Sequence, residues 1–443
     1  MDLYSVFSRQ MSGLTPKHAL VVGFSGGLDS TVLLALAARL AKEQGVSLRA
    51  IYIAHGLQAA ADDWPAHCAQ VANALGVSCQ TITVQVQLGP RVSLEAAARS
   101  ARYQAFSERL AANEILLTGH HLDDQAETLL LALKRGAGVA GLAAMPVKKN
   151  IGHAQQWRPL LSCSRSQLEA YAHEQGLDWV EDPSNSDNAF DRNFLRNRIM
   201  PILTQKWPSV TTTLARSAEL CAEQADLAEE IAEQDLAQLL NNQGGLLVAG
   251  LQLLSTARRQ NALRYWLHRQ GLYPSRRQLQ AIWQELALAR ADASPQVRIG
   301  QQTVQRYQGA LYVPITAAEP IELPRLVAEQ WLDAGVGQLK ISWVPEHADL
   351  AADVEIDSLQ LVFNRSGLRA QPTGRAGSRP LKKLWQEYAI APWQRASMGL
   401  VMQGDSLVAV AGLFTCQAYQ AKPNQAGWKI EWQRPAPLRG AVS

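Results

Sequence analysis

Three polar clusters in this 443-residue chain have the residue types and spacing of a reaction centre. The first is Ser25-Gly26-Gly27-Leu28-Asp29-Ser30. Gly26 and Gly27 let backbone amides approach a ligand closely, and a helix starting here points its N-terminus at the same spot, which makes an anion cradle. Ser25 and Ser30 add hydroxyl donors. Asp29 is the odd member, because a carboxylate beside a phosphate is repulsive unless a cation lies between them. It reads as a holder of magnesium or ammonium. The second cluster is Thr118-Gly-His-His-Leu-Asp-Asp-Gln-Ala-Glu-Thr128. His120, Asp124 and Glu127 fall at i, i+4 and i+7, one face of a helix if helical geometry begins that early. Such a face binds a cation or orients an amine nucleophile. The third is Asp182-Pro-Ser-Asn185 with Asp191-Arg-Asn-Phe-Leu-Arg-Asn-Arg198. Arg192, Arg196 and Arg198 put guanidinium groups on a short helix, and guanidinium suits phosphate or carboxylate clamping. Glu95, Arg99 and Arg102, and Lys134-Arg135-Gly136, are weaker signals that reach RNA or pyrophosphate, or are surface charge. Each cluster also has a plainer reading: a strand-to-helix turn, a helix start capped by Asp123 and Asp124, and a salt-bridged surface helix.

These clusters need elements to hold them. The run Ala19–Phe24 is short, apolar and β-branched at its centre, as a buried parallel strand is. Thr31–Leu40 has Leu and Ala at helical spacing, so the glycine loop is a strand-to-helix turn. Strands at 47–54, 78–86 and 114–119 alternate with helices at 61–75, 94–112 and 123–135, which predicts an α/β domain with a mostly parallel sheet. Ligands of such sheets bind at the carboxyl ends of the strands. The glycine loop, His55 and His120-His121 all lie at such ends and should meet in space. Residues 136–156, rich in Gly and Ala, read as a mobile loop beside the site. Ser164-x-x-Gln167 looks like a capping box, and Phe190–Ile199 like a basic helix. A long helical pattern from Pro208 to about Leu240 reads as a connector between domains. Residues 245–315 read as a second helical unit with short strands at 297–313. Arg258, Arg259, Arg264 and Arg269 surround its apolar residues. Residues 317–324 read as a linker, and 325–363 stay ambiguous.

Composition bounds the rest. The length suggests two to three domains, and no apolar run reaches membrane-spanning length. The N-terminus has no basic segment followed by a hydrophobic one, so a cytoplasmic location is expected, without membrane attachment. The five cysteines are scattered with no CxxC pair, which supports neither a disulfide framework nor a zinc site. From Asn364 onward the chain has eleven Lys and Arg against three Asp and Glu, while the preceding residues are net acidic. A basic terminal module on an acidic body suits a polyanionic partner such as nucleic acid.

The loop lacks the lysine of GxxxxGK[ST] and the spacing of GxGxxG. It resembles instead the SGGxDS signature of the PP-loop ATP pyrophosphatases. With His55-Gly-Leu57, Glu95-x-x-x-Arg99-x-x-Arg102-Tyr103, His120-His-x-Asp-Asp-Gln-x-Glu-Thr128, Arg158-Pro-Leu-Leu161 and Asp191-Arg-Asn-x-x-Arg196, the chain resembles the tRNA(Ile)-lysidine synthetase family. Arg379-x-Leu-Lys-Lys-Leu-Trp-Gln-Glu387 and Pro392-Trp393 resemble that family's C-terminal tRNA-binding module. The resemblance implies three domains: a parallel-sheet PP-loop (adenine nucleotide hydrolase-like) catalytic domain at 1–215, a helical connector and tRNA-contacting domain at 216–320, and a small basic α+β domain at 325–443. It implies ATP and Mg²⁺ as cofactors, with free L-lysine and tRNA(Ile) bearing a CAU anticodon as substrates, for a monomer or homodimer. It implies that Ser25, Gly26, Gly27, Leu28, Asp29, Ser30 and His55 hold ATP and that Asp29 holds the metal. Asp29, Asp124, Glu127 and Arg192 would be catalytic. His120, Arg99, Arg102, Arg196, Arg379, Lys382 and Lys383 would meet lysine or tRNA. Alternatives are a PP-loop tRNA thiolase, which needs reactive cysteines, and a non-catalytic RNA-binding protein.

Overall fold

A computed structural model of the chain describes residues 2–55, 63–87, 94–290, 295–314 and 319–433. Gly56 and Leu57 of the motif after His55, the side chain of Glu95, and part of the expected 317–324 linker lie outside the described residues. The chain packs as two compact units, one through Glu230 and one beginning at Ile231.

The first unit alternates strand and helix in chain order. It runs α1 (Leu3–Gln10), β1 (Ala19–Gly23), α2 (Leu28–Gln44), β2 (Leu48–Ala54), α3 (Trp64–Ala74), β3 (Ser78–Thr83), α4 (Leu94–Arg109), β4 (Glu114–Leu117) and α5 (Leu122–Lys134). Then follow α6 (Val139–Leu142), β5 (Lys148–Ile151), β6 (Ala154–Trp157), α7 (Arg165–Glu174), α8 (Asp191–Phe194), α9 (Met200–Lys206) and the start of α10 (Val210–Leu239). The sheet order is β3-β2-β1-β4-β6-β5, parallel throughout except for the β5–β6 hairpin at one edge. β1 is central and buried on both faces: Leu20 and Val22 pack into one core and Val21 into the other. That is why Ala19–Gly23 reads as an unbroken apolar run rather than an alternating one. β3, at the other edge, is half-exposed and polar, as an edge strand tolerates.

The structure corrects the expected mobile loop at 136–156. Residues 148–157 form the β5–β6 hairpin and Val139–Leu142 a helical turn. Lys148, Lys149 and Asn150 are exposed and Ile151 is buried, so an edge hairpin needs too few apolar positions to show a pattern. The expected helix at 190–199 is also irregular: α8 gives way to one π-helical turn over Leu195–Ile199. The capping box at Ser164 and Gln167 is present.

The second unit takes α10 onward. Its first sheet combines β7 (Leu246–Leu247), β8 (Gln296–Ile299), β9 (Gln302–Tyr307) and β10 (Ala310–Tyr312) with α11 (Val248–Leu253), α12 (Thr256–His268) and α13 (Arg276–Ala281). The ambiguous stretch 325–363 mixes short strands with loops. β11 (Trp331–Asp333) pairs with β12 (Gln338–Val344), which together with β13 (Leu350–Ala351) flanks the last strand, and β14 (Leu359–Val362) belongs to a further sheet. The described residues end with β15 (Arg369–Ala370), β16 (Arg379–Pro380), α14 (Leu381–Glu387), α15 (Pro392–Arg395), β17 (Leu400–Gln403), β18 (Ser406–Val410), β19 (Phe414–Thr415) and β20 (Gly427–Gln433). Among the described residues no helix is long and apolar enough to cross a membrane.

Candidate active site

The glycine loop leaves β1 and enters α2. Gly26 has φ +80°, and a Cβ there would lie 2.9 Å from Cys68 Sγ and 3.2 Å from Val180 Cγ2, so only glycine fits. Its carbonyl accepts from the Val180 amide at 2.9 Å, which ties the 178–182 segment to the loop. Gly27 caps α2 without a side chain, leaving the first amides of that helix free for a ligand. The Ser30 hydroxyl accepts from the Ser25 amide, lies 3.0 Å from Ser25 Oγ and donates to the Gly27 carbonyl. The loop is therefore held in shape by its own hydroxyls before any anion arrives.

β4 brings the second cluster against this loop. A Cβ on Gly119 would fall 2.9 Å from both the carbonyl carbon and the oxygen of Asp29, and backbone cannot yield as a side-chain tip can. α5 begins only at Leu122, and His121 caps it in an extended conformation. His120 therefore lies off the helix and does not share the face of Asp124 and Glu127 that was expected. Its Nδ1 sits 3.0 Å from the Thr118 hydroxyl, which accepts from Gln156, and Gln156 in turn accepts from buried Arg158. Burial, helped by the nearby Arg158, Arg192 and Arg99, pushes the His120 pKa down to about 3, so its ring is neutral.

His121 is the fully buried centre of the cluster. Its ring nitrogens lie 3.6 Å from Asp29, 3.4 Å from Asp123 and 3.5 Å from Asp124. Burial opposes its charge, but the carboxylates of Asp123, Asp29 and Asp124 outweigh that and hold it up to about 10. Asp29 also faces Arg165 at 3.8 Å, and Asp123 accepts from the Arg165 amide, so α7 closes the same group. Asp124 and Glu127, both buried, receive two guanidinium groups. Arg192 donates to Asp124 at 2.9 Å and to Glu127 at 3.0 Å; Arg196 donates to Asp124 at 2.8 Å and to Glu127 at 2.7 and 2.9 Å. Burial alone would raise the Asp124 pKa, but His121, Arg192 and Arg196 hold it far below the usual carboxylate range. The same carboxylates raise the pKa of both arginines against the cost of burial.

His55, at the end of β2, lies against Arg102 of α4 at 3.1–3.3 Å. A guanidinium only donates, so His55 Nε2 accepts. Burial, with Arg102 adding to it, lowers the His55 pKa to about 4. Arg99 rests over the Tyr103 ring at 5.1 Å. The loop, His55, Arg99, Arg102, His120, Asp124, Arg192 and Arg196 all line one cavity of about 1350 Å³. Small-molecule sites typically enclose roughly 300–1000 Å³, so there is room for more than one ligand. Among the described residues no group of three His, Cys, Asp or Glu side chains is placed to cage a metal. Asp29 Oδ1, however, is buried without a hydrogen-bond partner. A magnesium ion shared between one carboxylate and nucleotide phosphates needs no protein cage, and this oxygen fits that use.

Arg379, Lys382 and Lys383 belong to the second unit. Arg379 donates to Glu387 at 2.7 Å, and Arg375 binds the same carboxylate, while Lys382 and Lys383 are exposed on α14. In the arginine-rich stretch, Arg258 is committed to buried Asp235 and Arg259 to the Trp283 ring, whereas Arg264, Arg269, Arg276 and Arg277 are exposed. Sequence reasoning placed His120-His121 beside the glycine loop but gave a site role to His120 alone, although His121 is the one at the centre of the carboxylates. Arg165 and Gly119 carried no signal, because each matters only through a contact distant in sequence.

Comparisons with known proteins agree with this layout. A PP-loop domain matches residues 3–203, a TilS substrate binding domain residues 246–312, and a TilS substrate C-terminal domain residues 359–432. The chain is 44% identical over 442 residues to the tRNA(Ile)-lysidine synthase of Yersinia pseudotuberculosis serotype I, covering 95% of each chain. It is 45% identical over 424 residues to the tRNA(Ile)-lysidine synthase of Serratia proteamaculans, covering 94% of this chain and 95% of that one. Among solved structures, the U34-tRNA thiolase NcsA from Methanococcus maripaludis overlaps 50% of this chain and 78% of its own, at 19% identity and TM-score 0.42. An overlap that partial decides nothing about activity.

Proposed function

We infer the reaction from one premise: this chain belongs to the tRNA(Ile)-lysidine synthase family. It is an ATP-dependent ligase that joins lysine to C2 of the wobble cytidine in tRNA(Ile) with a CAU anticodon. The C2 carbonyl oxygen attacks the α-phosphorus of ATP and pyrophosphate leaves. The lysine ε-amine then attacks C2, loses a proton, and AMP departs with the oxygen. The product, lysidine, pairs with adenine instead of guanine, which changes the tRNA's codon and amino-acid specificity from methionine to isoleucine. The observation that carries this reading is the single cavity shared by the amide cradle and the carboxylate–guanidinium cluster, large enough for a nucleotide, an amino acid and a splayed base together.

The residue roles are our assignment. The α2 amides and the Ser25 and Ser30 hydroxyls bind phosphate oxygens, with Leu28 opening the helix beneath them. Asp29 would hold Mg²⁺, which supplies charge neutralisation on the phosphates. Asp124 and Glu127 receive the ammonium of free L-lysine, and Arg192 and Arg196 serve its carboxylate or the developing charge. In either role an arginine exchanges one of its present bonds for the ligand. His120, Arg99 and Arg102 face the target nucleotide. The modules at 246–312 and 359–432 bind tRNA away from the anticodon, which is where selection against methionine tRNA must come from. We place the work in the cytoplasm with the tRNA pool, and put the domain limits near 1–215, 216–320 and 325–443.

A thiolase would need an accessible thiolate for sulfur delivery. Burial instead pushes the Cys68 thiol up to about 12 and Cys416 to about 11, and raises Cys79 and Cys163 as well. The decisive test is incubation with ATP, lysine and tRNA transcripts. AMP formation that requires both lysine and the CAU-anticodon isoleucine tRNA supports the synthase. Binding of tRNA with no AMP released would favour a non-catalytic RNA binder.

A further inference from the structure

The Pro392-Trp393 pair stands out in the sequence, yet the reaction described above gives it no task. It forms α15 in the C-terminal module, and its half-buried indole is not spent on that module's own core. It meets two tyrosines of the preceding module instead. The Tyr307 ring lies 5.8 Å away at 77°, and the Tyr312 ring 5.3 Å away at 50°. The first is the preferred edge-to-face arrangement, the second is tilted, and both lie within the range of an attractive ring pair. The two tyrosines come from one hairpin. Tyr307 pairs with Ala310 and Gln305 with Tyr312, so both rings project from the same face of the β9–β10 ladder and make a platform.

That platform is itself pinned. The Tyr312 hydroxyl accepts from Asn241 Nδ2 at 2.8 Å, and Asn241 Oδ1 accepts from the amides of Gln243 and Gly245. Asn241 lies two residues beyond the end of α10. The connector helix, the hairpin and the C-terminal module are thus joined through one asparagine and three rings.

We propose that Trp393 is a positioning residue for tRNA: clasped by Tyr307 and Tyr312, it sets the angle between the 246–312 and 359–432 modules, so that both engage one tRNA at once. The inference rests on the lysidine synthase reading. Two basic surfaces reinforce each other only when geometry lets them bind together, and that gain vanishes when the angle between them is free. Modules of one chain move relative to each other unless a packed interface stops them.

The experiment uses the full-length chain and measures tRNA(Ile) affinity by filter binding, kcat/KM for tRNA, and ATP affinity without tRNA. Trp393→Ala is expected to lower tRNA affinity and kcat/KM about 10- to 100-fold. ATP affinity should stay within about twofold, and Trp393→Phe should recover most of the loss, since an aromatic ring is what the platform needs. The pair Trp393→Ala and Tyr307→Ala, made singly and together, decides the mechanism. The double variant should be no worse than the worse single one, because both remove the same joint. Losses that multiply would mean Trp393 touches RNA by itself and would overturn the proposal, as would a Trp393→Ala chain with wild-type tRNA affinity. A fall in ATP affinity matching the fall in tRNA affinity would also overturn it, as general misfolding. Wild-type protein that fails to bind tRNA sinks the functional reading instead, which separates the two failures.

Discussion

At the scale of single residues, Asp29 joins the phosphate loop to the acidic cluster. One of its oxygens faces His121 and Arg165, and the other is buried without a partner. An unpaired carboxylate oxygen beside an anion cradle is costly to keep unless a cation uses it. We therefore expect Asp29→Asn to lower AMP formation by about 100-fold or more while leaving tRNA affinity within about twofold, because an amide binds a divalent cation poorly and Asp29 is not among the residues we assign to RNA contact. Steady-state turnover and filter binding on the same preparation check both halves. A variant with normal turnover removes Asp29 from the mechanism. His121 could be noticed in the sequence as half of a His-His pair, but its office, neutralising three carboxylates from two helices, depends on a burial that no local pattern encodes.

At the scale of elements, the Asp124–Glu127 face of α5 is what holds α8 and the π-turn after it. Five hydrogen bonds from Arg192 and Arg196 span that junction, and an α-helix opened to a π-turn is where a helix is re-aimed at a site. Glu127→Gln leaves two half-buried guanidinium groups facing one carboxylate and should destabilise the first unit by about 1–3 kcal/mol, read as a shift in denaturant midpoint. Adding Arg196→Met should recover part of that loss, since the surplus charge goes with it. A second prediction concerns Arg49 at the start of β2, which binds Glu114 at the start of β4 across the end of β1. Burial opposes the charge on Glu114, but the Arg49 guanidinium and the Ala111 amide hold its pKa below its ordinary value of 4.5. A lowered carboxylate pKa adds stability that is present above the unfolded-state value and is lost as pH falls through the folded one. Arg49→Met should therefore cost about 1–2 kcal/mol at pH 7, and its gap to wild type should narrow below pH ~4.5. Thermal melts at both pH values check this; a gap constant with pH would mean that the pair contributes packing alone.

At the scale of the whole molecule, charge is divided by unit. The carboxylates and guanidinium groups around the first unit's cavity largely neutralise one another, while Lys382 and Lys383 stand exposed in the basic C-terminal stretch. Replacing both lysines with glutamine should weaken tRNA binding roughly 3- to 10-fold near physiological salt and flatten the salt dependence of log K by about 1–2. ATP affinity should not change. An unaltered salt slope would take these lysines off the RNA surface.

The chain by itself determined the glycine loop and its place between a buried strand and a helix, the parallel α/β class, the long helix after Pro208 and the excess of basic residues after Asn364. All of these rest on local chemistry: runs of apolar residues, their period, and residue types at short spacing. The edge hairpin at 148–157 escaped because an exposed edge needs little hydrophobic patterning. Only the tertiary structure decided that His120 leaves the helix face, that Arg192 and Arg196 close on Asp124 and Glu127, and that Trp393 lodges between two tyrosines of another module. Each of these joins residues far apart in sequence, so each is fixed by how the elements pack rather than by any pattern along the chain.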